Sequence, residues 1–201
     1  MNTYKPIRLR YGVLARMRDR RNAKRDYKQG GVAYYRQNNT TKYLSLINSE
    51  VAQMLDAERV RFESVASVLQ HDVLRADGLM KDLTSQNNSL KSRRSSLTSR
   101  LTVARKTKDF IQCAALERQI GDLALKCQPI ERRMKQAECD IEILNDRISS
   151  ANDLYKNNVS TIHSWGENRE KLYIYELFRH EKQKDKAARS NERKGKISDW
   201  P

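Results

Sequence analysis

Residues 83–127 read LTSQNNSLKSRRSSLTSRLTVARKTKDFIQCAALERQIGDLALKC, and two conflicting registers inside this stretch decide the fold. Leu83, Leu90, Leu97 and Ala104 recur every seven residues, and so do Cys113, Ile120 and Cys127, but the second series is two residues out of phase with the first. One unbroken helix would carry the step from Ala104 to Ile111. A chain reversal between Lys108 and Asp109 removes the conflict. Ala104 then faces Cys113, Leu101 faces Leu116, Leu97 faces Ile120, Leu90 faces Cys127 and Leu83 faces Met134.

Both series continue away from the turn. Leu55, Phe62, Leu69 and Ala76 precede it, Met134, Ile141, Ile148, Tyr155 and Ile162 follow, and a companion row runs beside each, including Val73 and Met80 in the first and Ile130 and Leu144 in the second. Heptad runs of this length predict paired α-helices. The competing arrangement is a parallel dimer of one long rod, for which Asn87 at a core position is suited, since a buried Asn fixes register in parallel dimers. Arg94 argues against it, because in-register pairing sets two guanidinium groups together, whereas the hairpin places Arg94 beside Leu123 with its head free to reach water. Pro129 interrupts the helix hydrogen bonding of the second arm at a cost of about 3 kcal/mol and predicts a kink there.

Composition agrees with an elongated helical chain. Of 201 residues 32% are charged, with only seven glycines and three prolines, and the mean hydropathy is −0.87. No apolar run approaches the ~18 residues of a membrane span, and the N-terminus carries no apolar signal region, so neither membrane spanning nor export is expected. Three cysteines without CxxC spacing, two of them at heptad core positions, read as reduced packing residues.

The net charge of +15 is uneven. Residues 1–42 hold twelve Lys and Arg against Asp19 and Asp26, residues 43–178 are almost balanced, and no acid lies between Asp82 and Asp109, where Lys91, Arg93, Arg94, Arg100, Arg105, Lys106 and Lys108 fall. The pattern predicts an acidic partner. Gly12 to Lys28 reads as a short basic helix containing Val13, Leu14 and Met17, ended by Gln29, Gly30 and Gly31, with a linker beyond. Asn38, Asn39, Thr40 and Thr41 are N-cap candidates for a helix over 42–106, ~95 Å long. Past Trp165, Gly166 reads as an interruption, and Leu172, Tyr173, Ile174, Tyr175, Leu177 and Phe178 form an aromatic cluster. It is expected to gather with Tyr43, Leu44, Ile47 and Val51 into a small core at the open end, or else to serve homo- or hetero-oligomer docking.

The turn also resembles a known motif. In ARKTKDFIQCAALERQI, residues 104–120, Asp109, Phe110, Ala114, Ala115, Leu116 and Ile120 stand where the UVR-type helical hairpin has its Asp-Phe, paired alanines, Leu and Ile. The resemblance covers seventeen residues and implies a tight antiparallel turn. In excinuclease subunits that motif is a protein–protein contact, and similar turns occur in coiled-coil proteins of cilia and centrosomes. By its chemistry Asp109 caps the following helix, and the small Ala114 and Ala115 permit close helix approach, with Phe110 expected over the tip.

The expected fold is therefore all-α. An elongated antiparallel two-helix coiled-coil hairpin over 42–165 turns near 107–109, with a basic, largely extended arm over 1–41 before it and an aromatic helix and basic tail over 166–201. No catalytic, cofactor or metal constellation is present: His71, His163 and His180 are dispersed, and no nucleotide-loop, zinc or calcium motif occurs. An enzyme is not expected. Recognition by charge remains, through Arg8, Arg10, Arg16, Arg18, Arg20, Arg21, Lys24 and Arg25 of the arm with Tyr34 and Tyr35, and through Arg93, Arg105, Lys106 and Lys108 near the turn. The first reading is a structural scaffold on an acidic filament or assembly, tubulin-like, in cytoplasm, cytoskeleton or cilium. The alternative is RNA or DNA binding in a ribonucleoprotein, nucleoid or virion, with arm tyrosines stacking on bases. A mitochondrial presequence is a third reading of the arm, opposed by its two acids.

Overall fold

The computed structural model describes residues 4–198, with side chains over 4–190. Four helices follow one another: α1 (Val13–Lys28), α2 (Gly31–Asn38), α3 (Lys42–Lys106) and α4 (Phe110–Ser198), and no strand occurs among the described residues. Contacts divide the chain into two compact units, Met1–Glu63 with Asp153–Pro201, and Ser64–Asn152.

In the unit holding the turn, α3 and α4 run antiparallel, as Asn87 against Met134, Lys91 against Glu131 and Arg105 against Glu117 show. Leu97, Leu101, Ala104, Leu116 and Leu123 are buried together, with Leu90, Cys113 and Ile120 packed against them. These residues hold core positions of the two heptad series, and the antiparallel packing is that of a hairpin. At the reversal Asp109 N–H reaches Ala104 O at 3.1 Å and Lys108 N–H reaches Arg105 O at 3.3 Å, which satisfies carbonyls at the end of α3. Lys108 takes the left-handed conformation this closure needs (φ 57°). Asp109 then caps α4, accepting the Gln112 N–H at 2.9 Å. Phe110 does not cover the tip: it is 80% exposed. Ala114 and Ala115 also face solvent, and the small residue in the seam is Ala104, 1% exposed. Helix α4 runs on through Pro129. The carbonyl that proline leaves without a donor belongs to exposed Leu125, where water can replace the lost bond.

In the other unit the arm departs from the expected extended form. Among the described residues, 4–12 precede the first helix, and the expected linker contains α2. Gly30 adopts φ 78°, and a Cβ on Gly31 would lie 2.6 Å from Asp26 O, so this glycine pair makes the sharp α1–α2 turn. Thr41 caps α3 by accepting the Leu44 N–H at 3.2 Å. Gly166 does not interrupt α4. A Cβ there would stand 2.6 Å from Val51 Cγ2, so the glycine lets α4 approach α3 closely instead. Ala23, Val32, Tyr43, Leu44, Ile47, Tyr173 and Leu177 form the core of this unit, with Tyr27, Tyr35, Ile174 and Phe178 around it. The aromatic cluster past Trp165 thus packs with Tyr43, Leu44 and Ile47, and Tyr175 remains 63% exposed.

Candidate docking surface

The arm is held by polar groups that are themselves buried. Asp19 and Arg169 are both fully buried, and the guanidinium reaches the carboxylate with Nη2 at 3.1 Å. Tyr43 and Tyr11 donate to the same carboxylate at 2.6 and 2.7 Å, Arg169 also pairs with Glu50, and its guanidinium stands 4.7 Å over the Trp165 ring. Burial disfavours the Arg169 charge, yet the hydrogen bonds to Asp19 and Glu50 and the charge of Asp19 outweigh it and hold its pKa above the ordinary value. Burial, then the bond to Asp19, raises the pKa of Tyr11 and of Tyr43.

Two further clusters complete the attachment. Thr41 meets the Tyr173 hydroxyl at 2.8 Å, and that hydroxyl donates to Asp26 of α1 at 2.8 Å, so the cap of α3 and the second acid of the arm share one chain of bonds. Along residues 4–7, Asn158 accepts the Ile7 N–H at 2.8 Å and donates to Glu58 at 2.7 Å, and Tyr4 donates to the same Glu58. Tyr4 lies edge-on to Phe62, which stacks on Tyr155 at 4.5 Å. Glu58 and Asn158 are 2% and 1% exposed.

Turning both acids inward leaves α1 with one kind of charge on its outside. Residues 14, 17, 21, 24 and 28 follow three- and four-residue steps opposite Asp19 and Ala23 and so share the outer face. Leu14 is 83% exposed, Met17 is exposed, and beyond them stand exposed Arg21, Lys24 and Lys28. None of these three cations forms an ion pair among the described residues. Arg8 and Arg10 are also exposed, on the segment before α1. Other predicted contacts are engaged within the chain: Arg18 with Glu50 at 3.5 Å, Arg20 with Glu176 at 3.2 Å and Arg25 with Asp26 at 3.4 Å. Arg16 lies over the Tyr11 ring. Tyr34 is 54% exposed, whereas Tyr35 packs edge-on against Phe178. Arg93, Lys106 and Lys108 are exposed, and Arg105 pairs with Glu117 at 2.7 Å.

Sequence reasoning passed over Asp19, Glu50, Glu58, Asn158, Trp165 and Arg169. One signal for the first was available, since an acid amid twelve cations has a reason to be there. Among the described residues no group of three or more His, Cys, Asp or Glu could hold a metal ion, and no helix is long and apolar enough to cross a membrane. None of the known protein families, curated proteins or solved structures compared with the chain matches it.

Proposed function

We propose that the protein is a non-enzymatic helical scaffold that docks through α1, aided by Lys106 and Lys108 near the turn, onto an acidic protein filament or assembly of microtubule or ciliary type. One observation carries the reading: the outer face of α1 presents only positive charges, beside an exposed Leu14 and Met17, while Asp19 and Asp26 are consumed inside. Fixed arginines and lysines can pair with carboxylates on a rigid partner, and the apolar pair adds contact area that a purely ionic surface lacks.

The state of the tyrosines favours a protein partner over a single-stranded nucleic acid. Tyr4, Tyr27 and Tyr35 pack against Phe62, His180 and Phe178, and Arg16 lies over the Tyr11 ring, so of the arm tyrosines Tyr34 alone, 54% exposed, has no ring contact among the described residues. Co-sedimentation with microtubules, alongside binding to RNA and to duplex DNA over a salt series, tests the reading. Microtubule binding is expected to weaken about tenfold or more in Arg21→Glu/Lys24→Glu/Lys28→Glu, through the loss of three charge contacts. Tight, steeply salt-dependent nucleic-acid binding without microtubule binding would establish the alternative.

A further inference from the structure

Past Trp165, α4 carries more aromatic surface than the core of its unit takes in. Tyr173 and Leu177 are fully buried and His180 meets Tyr27 at 5.6 Å, so these positions mark the inward side of the helix. Tyr175, Arg179, Lys182, Lys186 and Arg189 follow one another by steps of four and three residues on the opposite side, and all are exposed. A groove of about 360 Å³ lies along this stripe, with the partly buried Ile174 and Phe178 as its apolar floor and Tyr175, Arg179, Lys182 and Lys186 around it. No acid lines it. Glu176 is buried and shared by Arg20 and Arg179, Glu181 pairs with Arg36, and Asp185 stands outside the groove. Lys182 and Lys186 form no ion pair among the described residues.

We propose that this groove binds an extended acidic peptide segment of a partner protein, one that carries an aromatic side chain among its carboxylates. Charge selects the acid, since three cations surround the groove and no carboxylate does. The floor selects the aromatic, because Ile174, Phe178 and the exposed Tyr175 offer apolar contact that a purely ionic ligand leaves wet. Spacing agrees with an extended chain. Lys182 and Lys186 are ~6 Å apart along the helix axis, and alternate side chains of an extended segment, which share one side, repeat every ~7 Å. A single-stranded nucleic acid fits less well, because stacking uses successive free rings, and the Phe178 ring is already met edge-on by Tyr35 and covered by Arg36 at 5.8 Å. The same stripe of a second copy brings cation against cation. Helix α1 meets α4 on the other side, through Arg20 and Glu176, so the proposal is independent of what α1 binds.

The test uses the full chain and three fluorescein-labelled probes of matched length, read by anisotropy: a random copolymer of glutamate and tyrosine, polyglutamate, and single-stranded DNA. The copolymer is expected to bind about fivefold or more tightly than polyglutamate, because it alone supplies rings for the floor. Lys182→Glu/Lys186→Glu is expected to weaken copolymer binding about tenfold or more, and the charge-matched Lys126→Glu/Lys135→Glu by no more than about twofold. Tyr175→Ser is expected to abolish the preference for the copolymer over polyglutamate. All five positions are exposed, and unchanged helicity by circular dichroism separates a lost site from a lost fold. Equal losses from the two charge reversals, a copolymer preference that survives Tyr175→Ser, or DNA binding tighter than copolymer binding and dependent on Lys182 and Lys186 overturns the proposal.

Discussion

Asp19 sits in the most basic segment of the chain and is the group on which the attachment of that segment converges. Its carboxylate accepts from Tyr11, Tyr43 and Arg169, and both Asp19 and Arg169 are fully buried, so removing it leaves a buried guanidinium with Glu50 as its remaining acid partner. Asp19→Ala is expected to destabilise the protein by about 3–5 kcal/mol, the usual cost of breaking a buried pair by removing one member. Chemical denaturation measures this, and Asp19→Leu/Arg169→Met should recover most of the loss, because the uncompensated charge is then gone. The tyrosines supply a pH dependence. Tyr11, Tyr43 and Tyr173 titrate above the ordinary 10.0 because burial penalises their phenolates and nearby Asp19 or Asp26 opposes a second negative charge. As pH rises past about 10 the unfolded chain releases these protons before the folded one, so stability is complete below that pH and falls above it. Tyrosinate absorbance should show these residues ionising late, together with unfolding; ionisation at the ordinary pH in the folded chain would contradict the buried arrangement.

Among the elements, Gly166 separates what local pattern predicts from what packing imposes. A glycine in a helical stretch is a breaker signal, yet α4 continues through it because this position faces Val51 of α3 with no room for a Cβ. On an exposed helix Gly→Ala gains about 1 kcal/mol of propensity. Here the 2.6 Å approach to Val51 Cγ2 outweighs that gain, and Gly166→Ala should lose about 1–3 kcal/mol by overpacking. Adding Val51→Ala should make the same change neutral or favourable. A double-mutant cycle on thermal stability reads the coupling, and additive effects would refute the contact. The turn between α3 and α4 was more legible. Its length followed from the phase difference between Ala104 and Cys113, and Asp109 carries a side chain that can satisfy the first free N–H groups of α4. The position of Phe110 was not legible, since exposure depends on whether any surface lies above the tip.

At the scale of the whole molecule, charge placement matters more than the net value of +15. Exposed cations on α1 form one face, whereas Lys126, Arg132 and Lys135 of α4 belong to another part of the chain. Reversing those three changes the net charge as much as reversing Arg21, Lys24 and Lys28 does. If the outer face of α1 is the docking surface, binding to an acidic lattice should fall about tenfold or more for the α1 reversal and by no more than about twofold for the α4 control. Equal losses from both would mean that the chain acts as a diffuse polycation.

The sequence by itself determined that the chain is helical, that it reverses near Lys108, which heptad positions are buried near the turn, and that its N-terminal segment is basic. Each of these rests on periodicity or local charge, which neighbouring residues express without help from distant ones. Only the tertiary structure decided that the arm folds onto α3 and α4, because the bonds that secure it join Asp19 to Arg169 and Ile7 to Asn158, partners about 150 residues apart. It also decided which arm cations remain on the surface, since that depends on both acids turning inward, and burial at such separations follows from the assembled fold.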